Sequence, residues 1–229
     1  MAFVPYVSPE QLTRDRSEYA RKGIAKGRSV AAVEYADGIL FVAENPSGTL
    51  YKISELYDRI AFAGVGRYSE FESLRIAGVQ LADLRGYAYG REDVTAKMIA
   101  NAYAQALANI FTTQMKPYEV EILVGEVGDR PEQNQLFHVL FDGSVTDEKG
   151  VVAMGGRSEE LTEQLRQGYR EGMSLDEALR LAVRAMSSVE QRPIDAPNVE
   201  AAVLDRTRPR RKFRRLTDPE VAEILGQAA

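Results

Sequence analysis

The chain has 229 residues, of which 45% are hydrophobic and 28% charged, and this balance predicts one globular domain over residues 1–229. Its 34 acidic and 29 basic residues give a net charge of -5, which disfavours non-specific nucleic-acid binding by the whole surface. The lack of cysteine excludes disulfides and a thiolate nucleophile, and it fits a reducing, cytoplasmic compartment. The sequence contains neither an apolar run of about 18 residues nor a signal-peptide pattern, so we expect no membrane association.

The N-terminal region predicts a short tail followed by a helix. Residues 1–7 form an apolar segment without periodicity. Ser8 has the character of an N-cap, and Gln11 stands three residues later at the capping-box position. We therefore predict a helix over residues 9–26.

This helix is unusually polar. Its apolar residues are sparse, and acidic and basic residues alternate along it. Such a helix gains little by packing on its own domain. Two interpretations follow: a solvated surface helix supported by pairs such as Glu18 with Lys22, or a helix that contacts neighbouring subunits.

Four strand-like runs come next, and Asp37-Gly38 has the composition of a two-residue hairpin turn between the first two. The runs are Val30–Tyr35, Gly38–Ala43, Lys52–Leu56 and Ile60–Val65. Two helices follow, one opened by a predicted capping box of Ser69 and Glu72 and the other spanning about Val94–Gln114.

The second half of the chain repeats this order of strands, paired helices and strands. The predicted strands are Tyr118–Gly125, Gln135–Phe141, Val151–Met154, Val199–Leu204 and Lys212–Leu216. The predicted helices are Glu159–Glu171, Leu175–Val189 and a short one near Pro219. Helices that arrive in pairs argue against a doubly wound parallel sheet. We predict an α+β fold of two stacked antiparallel sheets with helix pairs on both outer faces, a four-layer αββα sandwich.

Two features invite a chemical interpretation. His138, the only histidine, lies within an apolar strand without triad or metal-ligand partners at recognisable spacing, so we interpret it as structural and expect neither metal nor cofactor. The basic run Arg208–Arg215 is compatible with nucleic-acid binding. Charge on an exposed edge strand is the interpretation that we favour, because the protein as a whole is acidic.

Seven segments of the chain resemble the α-type subunits of actinobacterial 20S proteasomes. They are Ser8–Gln11, Glu18–Ile24, Ser29–Ala31, Phe41–Ser47, Lys52–Arg59, Arg85–Tyr89 and Lys116–Val120. The resemblance implies the N-terminal-nucleophile hydrolase fold, an αββα sandwich over residues 29–229 preceded by an extra N-terminal helix.

The resemblance also bears on catalysis. Arg28 stands at the position of the catalytic threonine in β-type subunits, and Glu44 and Lys52 stand at the positions of the accompanying acid and lysine. The resemblance therefore implies a non-catalytic subunit. The alternative is an active hydrolase matured by cleavage near Ser29.

The same resemblance implies partners and binding residues. Lys52, Gly27 and Gly66 would line a pocket that receives the C-terminal carboxylate of a ring-shaped ATPase activator. The segment before the helix would be the gate of a pore in a homo-heptameric α ring, stacked on proteolytic β subunits that degrade unfolded proteins. The expected gate residues are Ala2, Phe3, Val4, Pro5, Tyr6, Val7 and Ser8.

Overall fold

Two five-stranded antiparallel sheets form the centre of the protein in the computed structural model, which describes residues 8–226. The strands are β1 (Val30–Tyr35), β2 (Gly38–Glu44), β3 (Ile53–Tyr57), β4 (Ile60–Gly66), β5 (Val120–Glu126), β6 (Gln135–Val139), β7 (Val145–Asp147), β8 (Val151–Met154), β9 (Val199–Asp205) and β10 (Phe213–Arg215). The first sheet has the order β10-β9-β2-β1-β8, and the second has the order β3-β4-β5-β6-β7.

Helices cover the outer face of each sheet. The helices are α1 (Pro9–Ile24), α2 (Tyr68–Ala88), α3 (Ala96–Thr113), α4 (Ser158–Gly168), α5 (Leu175–Glu190) and α6 (Asp218–Leu225). The second sheet packs against α2 and α3, whereas the first packs against α4, α5 and α6. This arrangement confirms the predicted four-layer αββα sandwich.

Four strands of the first sheet, β1, β2, β8 and β9, are buried on both faces, and β1 shows how the two faces are divided. Ala31 and Val33 point toward the α4–α5 layer, whereas Val30 and Ala32 point into the core between the sheets. This alternation follows from the two-residue repeat of a strand. Strands covered on both faces consist almost entirely of apolar residues, as in the runs from which they were predicted.

The helix α1 begins as predicted but packs more closely on its own domain than its polarity indicated. Ser8 Oγ accepts a hydrogen bond from the Gln11 backbone N–H at 3.2 Å, while the Gln11 side chain turns to Asp15 instead of completing a capping box. Ala20 and Ile24 are buried and close one end of the core between the sheets. The last two turns of α1 are thus part of the sandwich, and the polar residues lie mainly on its other face.

Two further local features differ from the prediction. Helix α2 begins at Tyr68 after Arg67, and Glu72 pairs with Arg75 instead of forming a capping box with Ser69. Strand β7 was not predicted because all three of its residues are exposed, so it carries no apolar alternation.

Candidate functional site

The candidate site lies where α1 ends and β1 begins. The segment between them, residues 25–29, enters the first sheet at the middle strands, since Val30 pairs with both Ala43 of β2 and Met154 of β8. Arg28 stands two residues before β1. The ends of β2 and β4 and the start of β3 converge on the same region, so side chains distant in sequence meet there.

Glu44, the last residue of β2, is held by two arginines. Its side chain is only 3% exposed, and it pairs with the guanidinium group of Arg28. Arg192, which follows α5, donates a hydrogen bond to each Glu44 carboxylate oxygen at 2.7 Å. Charge-assisted hydrogen bonds of this kind are stronger than neutral ones and hold the carboxylate in one position. Glu44 is therefore committed to structural contacts.

Lys52 lies directly before β3 and points back toward Arg28. Its Nζ donates a hydrogen bond to the Arg28 carbonyl oxygen at 2.7 Å. Glu200 of β9 fixes the backbone here, accepting the N–H groups of Lys52 at 2.9 Å and Ile53 at 3.0 Å. Burial lowers the pKa of Lys52 to about 8; the Glu200 carboxylate opposes this shift, and Arg28 adds to it.

Two glycines, Gly27 and Gly66, form one side of the candidate site. Gly66 has a φ of +100°, and a Cβ at this position would lie 1.8 Å from the Glu119 carbonyl oxygen. A Cβ on Gly27 would approach the Gly66 nitrogen to 3.3 Å, so the two backbones nearly touch. The Gly64 N–H donates to the Lys52 carbonyl oxygen at 3.0 Å. The structure thus brings Lys52, Gly27 and Gly66 together.

The charge of this cluster favours an anion. Four basic side chains meet two carboxylates, which leaves an excess of two positive charges: Arg28, Lys52, Arg192 and Arg215 against Glu44 and Glu200. Cationic side chains held in fixed positions beside closely packed backbone segments are suited to bind a carboxylate or phosphate ligand.

The other predicted site residues stand apart from this cluster. Among the gate residues, Ala2, Phe3, Val4, Pro5, Tyr6 and Val7 lie outside the described residues, and Ser8 caps α1. His138 lies in β6. Its neighbours Phe137 and Val139 point to the opposite face of the strand, into the core beneath α2 and α3. The His138 Nε2 is 3.5 Å from Glu121 Oε2. Within residues 8–226, the structure holds no group of three or more His, Cys, Asp or Glu side chains suited to a metal ion.

The end of the basic run lies on an edge strand: Phe213–Arg215 form β10, whereas residues 208–212 lie in the turn and loop before it. β10 pairs only with β9 at the edge of the first sheet. Arg211 pairs with Glu55, Arg214 with Glu220 and Arg215 with Glu200. Much of the positive charge available for nucleic acid is thereby neutralised within the protein.

Sequence reasoning missed several residues that hold the site. Glu200 and Arg192 contact Lys52 and Glu44 from distant segments. A glutamate within the apolar strand Val199–Asp205 is the one available signal, because a buried acid requires partners. Nothing in the sequence identifies those partners.

A second cluster that sequence reasoning missed anchors α1 beside this site. Glu119 accepts hydrogen bonds from Arg67 and Lys116, and its side chain fills the space beside Gly23 of α1. Burial opposes ionisation of Glu119, but the contacts with Lys116 and Arg67 outweigh it and lower its pKa. The cluster fixes the position of the segment that carries Gly27 and Arg28.

Comparison with known proteins identifies the family. A family model described as "Proteasome subunit" matches residues 24–204. The chain belongs to the proteasome subunit family. It is 58% identical to a proteasome subunit alpha of Geodermatophilus obscurus, over 97% of this chain and 80% of that protein. It is 57% identical to the corresponding protein of Frankia alni, over 98% and 96%, and 55% identical to that of Thermobifida fusca, over 97% and 90%.

These relatives confirm the predicted likeness to actinobacterial α-type subunits, and the family carries the fold that was expected. The findings support a 20S proteasome α subunit. Within the described part of the chain, no helix has the length and apolar character needed to cross a membrane.

Proposed function

We propose that this protein is a non-catalytic α subunit of a 20S proteasome, and that the Lys52 cluster receives the C-terminal carboxylate of a ring-shaped ATPase activator. Seven copies form the outer ring on the β subunits, and residues 2–8 gate the entry of unfolded proteins. The observation that carries the docking proposal is the fixed ammonium of Lys52, 2.7 Å from the Arg28 carbonyl oxygen and beside two closely approaching glycines.

The residues at the start of β1 and around it support a non-catalytic role. A guanidinium group has no nucleophilic oxygen, and Arg28 lies inside the chain without a free α-amine. Glu44 is bound by two arginines, so it is not available to activate a nucleophile. Ser29, the residue considered for maturation, is only 7% exposed, and its carbonyl oxygen accepts the Glu44 N–H.

The docking role is supported by electrostatics. The excess of two positive charges attracts a terminal carboxylate, and Lys52 can bind it through donors that Arg28 O does not occupy. The fixed backbone around Lys52 reduces the ordering cost of binding, because Glu200 already holds Lys52 and Ile53 in place.

A reconstituted particle tests the proposal. Lys52→Ala should leave ring assembly intact, as judged by electron microscopy, while peptide hydrolysis ceases to respond to the tail-docking ATPase. Lys97→Ala removes an exposed lysine of α3 and serves as the matched control, which should keep full stimulation. Normal stimulation of Lys52→Ala would refute the docking assignment.

Intact-mass measurement tests whether the chain is processed by cleavage near Ser29. A chain that begins near Met1 or Ala2 in assembled particles supports the non-catalytic subunit. Trimming to residue 28 or 29 would instead establish a processed hydrolase and contradict the proposal.

A further inference from the structure

A cavity of about 890 Å³ lies beside the end of α1. On one side it is bounded by β5 and β6 of the second sheet, and on the other by β8 and the first turns of α4. Apolar side chains form part of its wall, among them Ile24, Phe141 and Val152. Two polar side chains from the second sheet, Glu121 of β5 and His138 of β6, also line it. An apolar wall with a few polar groups is typical of a site that binds a small organic molecule.

Glu121 and His138 are largely buried, with 12% and 14% of their side chains exposed. Both point to the inner face of the second sheet, because each stands two residues from a side chain in the core between the sheets, Leu123 and Leu136. Nε2 of His138 lies 3.5 Å from Oε2 of Glu121, too far for a strong hydrogen bond, and it has no hydrogen-bond partner within residues 8–226. The carboxylate therefore has no firm partner in the imidazole.

Glu121 also has no cationic side chain beside it. It accepts one hydrogen bond, from the Gly155 N–H at 3.2 Å, and no lysine or arginine in the described part of the chain forms an ion pair with it. Glu44, by contrast, is held by two arginines. Among the described residues, Glu34 and Glu126 likewise form no ion pair, but they are not in the wall of this cavity. Of these three acids Glu121 is the one that a cation from solution can reach, and such a pairing offsets the cost of burying a carboxylate.

With His138 neutral, the charged side chains around the cavity leave one negative charge unbalanced. Arg157 is engaged by Glu160 and by the Val189 carbonyl oxygen. The remaining charged side chains of the lining are three carboxylates and two guanidinium groups: Glu121, Glu148 and Glu159 against Arg21 and Arg166. Both of these arginines are exposed, so water and salt weaken their repulsion of a cation deeper in the cavity. A ligand with a single positive charge balances the lining.

We propose that this cavity binds an organic cation, a primary ammonium carried on an apolar body. The ammonium pairs with the Glu121 carboxylate, and the body packs against the apolar wall. A neutral imidazole keeps one ring nitrogen as a hydrogen-bond acceptor, so His138 can take a second of the three ammonium donors. The Lys52 cluster carries excess positive charge and attracts anions, so the two sites select ligands of opposite charge and their tests are independent.

Three probes of similar size separate the effect of charge from that of apolar contact. Phenethylamine carries an ammonium group, 2-phenylethanol a hydroxyl group and 3-phenylpropanoate a carboxylate. In titrations of the full chain at pH 7, phenethylamine should bind at least about tenfold more tightly than 2-phenylethanol, because a charge-assisted hydrogen bond to a buried carboxylate is stronger than a neutral one. Equal affinities of the amine and the alcohol would overturn the proposal, as would tighter binding of the carboxylate probe.

The only histidine of the chain reports where the probe binds. In protein prepared without a histidine tag, the imidazole signals in a proton–carbon NMR spectrum belong to His138 alone. Saturating phenethylamine should shift these signals, and an equal concentration of 3-phenylpropanoate should leave them in place. Amine binding that does not move the His138 signals would put the ligand elsewhere on the protein and overturn the site.

A charge-removing variant tests the role of the carboxylate. Glu121→Gln removes the negative charge and keeps an oxygen that accepts the Gly155 N–H. Its affinity for phenethylamine should fall at least about tenfold, whereas its affinity for 2-phenylethanol should not change. Glu132→Gln, at an exposed position outside the cavity, is the matched control and should bind both probes as the wild type does. An unchanged amine affinity in Glu121→Gln, or an equal loss for the alcohol, would contradict the proposed pairing. If that variant does not fold, the probe series on the wild type still decides.

Discussion

The Glu200 carboxylate accepts the backbone N–H of Lys52 at 2.9 Å, although 148 positions separate the two residues. Through this contact β9 of the first sheet fixes the start of β3 in the second. The same carboxylate also binds Ile53 N and Arg215. One buried acid therefore ties both sheets together at the candidate site.

Replacing Glu200 should be costly to stability. Glu200→Ala leaves Arg215 and two backbone donors without their acceptor, and breaking a buried pair of this kind costs about 3–5 kcal/mol. The urea midpoint of the variant should fall accordingly. Glu132→Ala, at an exposed position, is the control and should stay within about 0.5 kcal/mol of wild type. A Glu200→Ala midpoint equal to that of the control would contradict the role of this contact.

Gly66 should tolerate no side chain. Gly66→Ala places a Cβ 1.8 Å from the Glu119 carbonyl oxygen at a φ of +100°, so we expect a loss of at least about 2 kcal/mol. Gly48→Ala is the matched control, because no atom lies within 4 Å of its added Cβ. Denaturant unfolding of the two variants measures the difference, and similar stabilities would show that the backbone at Gly66 relaxes freely.

Activator docking should weaken in alkali. A carboxylate tail binds the ammonium form of Lys52, and this form is lost as pH rises through the pKa of about 8. Affinity for a synthetic tail peptide should fall about tenfold for each pH unit above that value. Lys52→Arg keeps its charge at every pH in this range, so its affinity, whatever its absolute value, should not change with pH. Titration calorimetry between pH 6.5 and 9 checks both, and a flat wild-type profile would argue against Lys52 as the ligand of the tail.

Ionisation of Glu126 should lower the stability of the protein as pH rises, whereas ionisation of an ordinary ion-paired acid raises it. Burial raises its pKa, while the hydrogen bond from Ala96 N–H and the charge of Arg59 oppose that shift. The folded state therefore holds the proton more tightly than the unfolded chain, and stability is lost as pH rises from the unfolded pKa through the higher folded value.

Glu126→Gln removes this ionisation and retains an oxygen that can accept the Ala96 N–H. The variant should be more stable than wild type at pH 7, and this gain should be much smaller at pH 4. Thermal unfolding at the two pH values measures the gain. An equal effect at both would exclude titration of Glu126 as its cause.

Most elements of the fold could be predicted from local pattern. The apolar runs of β1, β2, β4 and β9 correspond to strands buried on both faces, and the wide apolar stripe of α3 corresponds to a packed helix. Strand β7 could not be predicted, because its three residues are exposed and only their pairing with β6 makes them a strand.

The sequence by itself determined the family, the order of the layers, and the residues Arg28, Glu44 and Lys52 as the groups to examine. Only the tertiary structure decided what those groups contact: Arg192 binds Glu44, and Glu200 holds the backbone of Lys52. Hydrophobic periodicity is local and survives in the order of residues, so it predicts elements. The partners of a buried charge come from distant segments that converge only when the sheets stack, and neither spacing nor composition records that convergence.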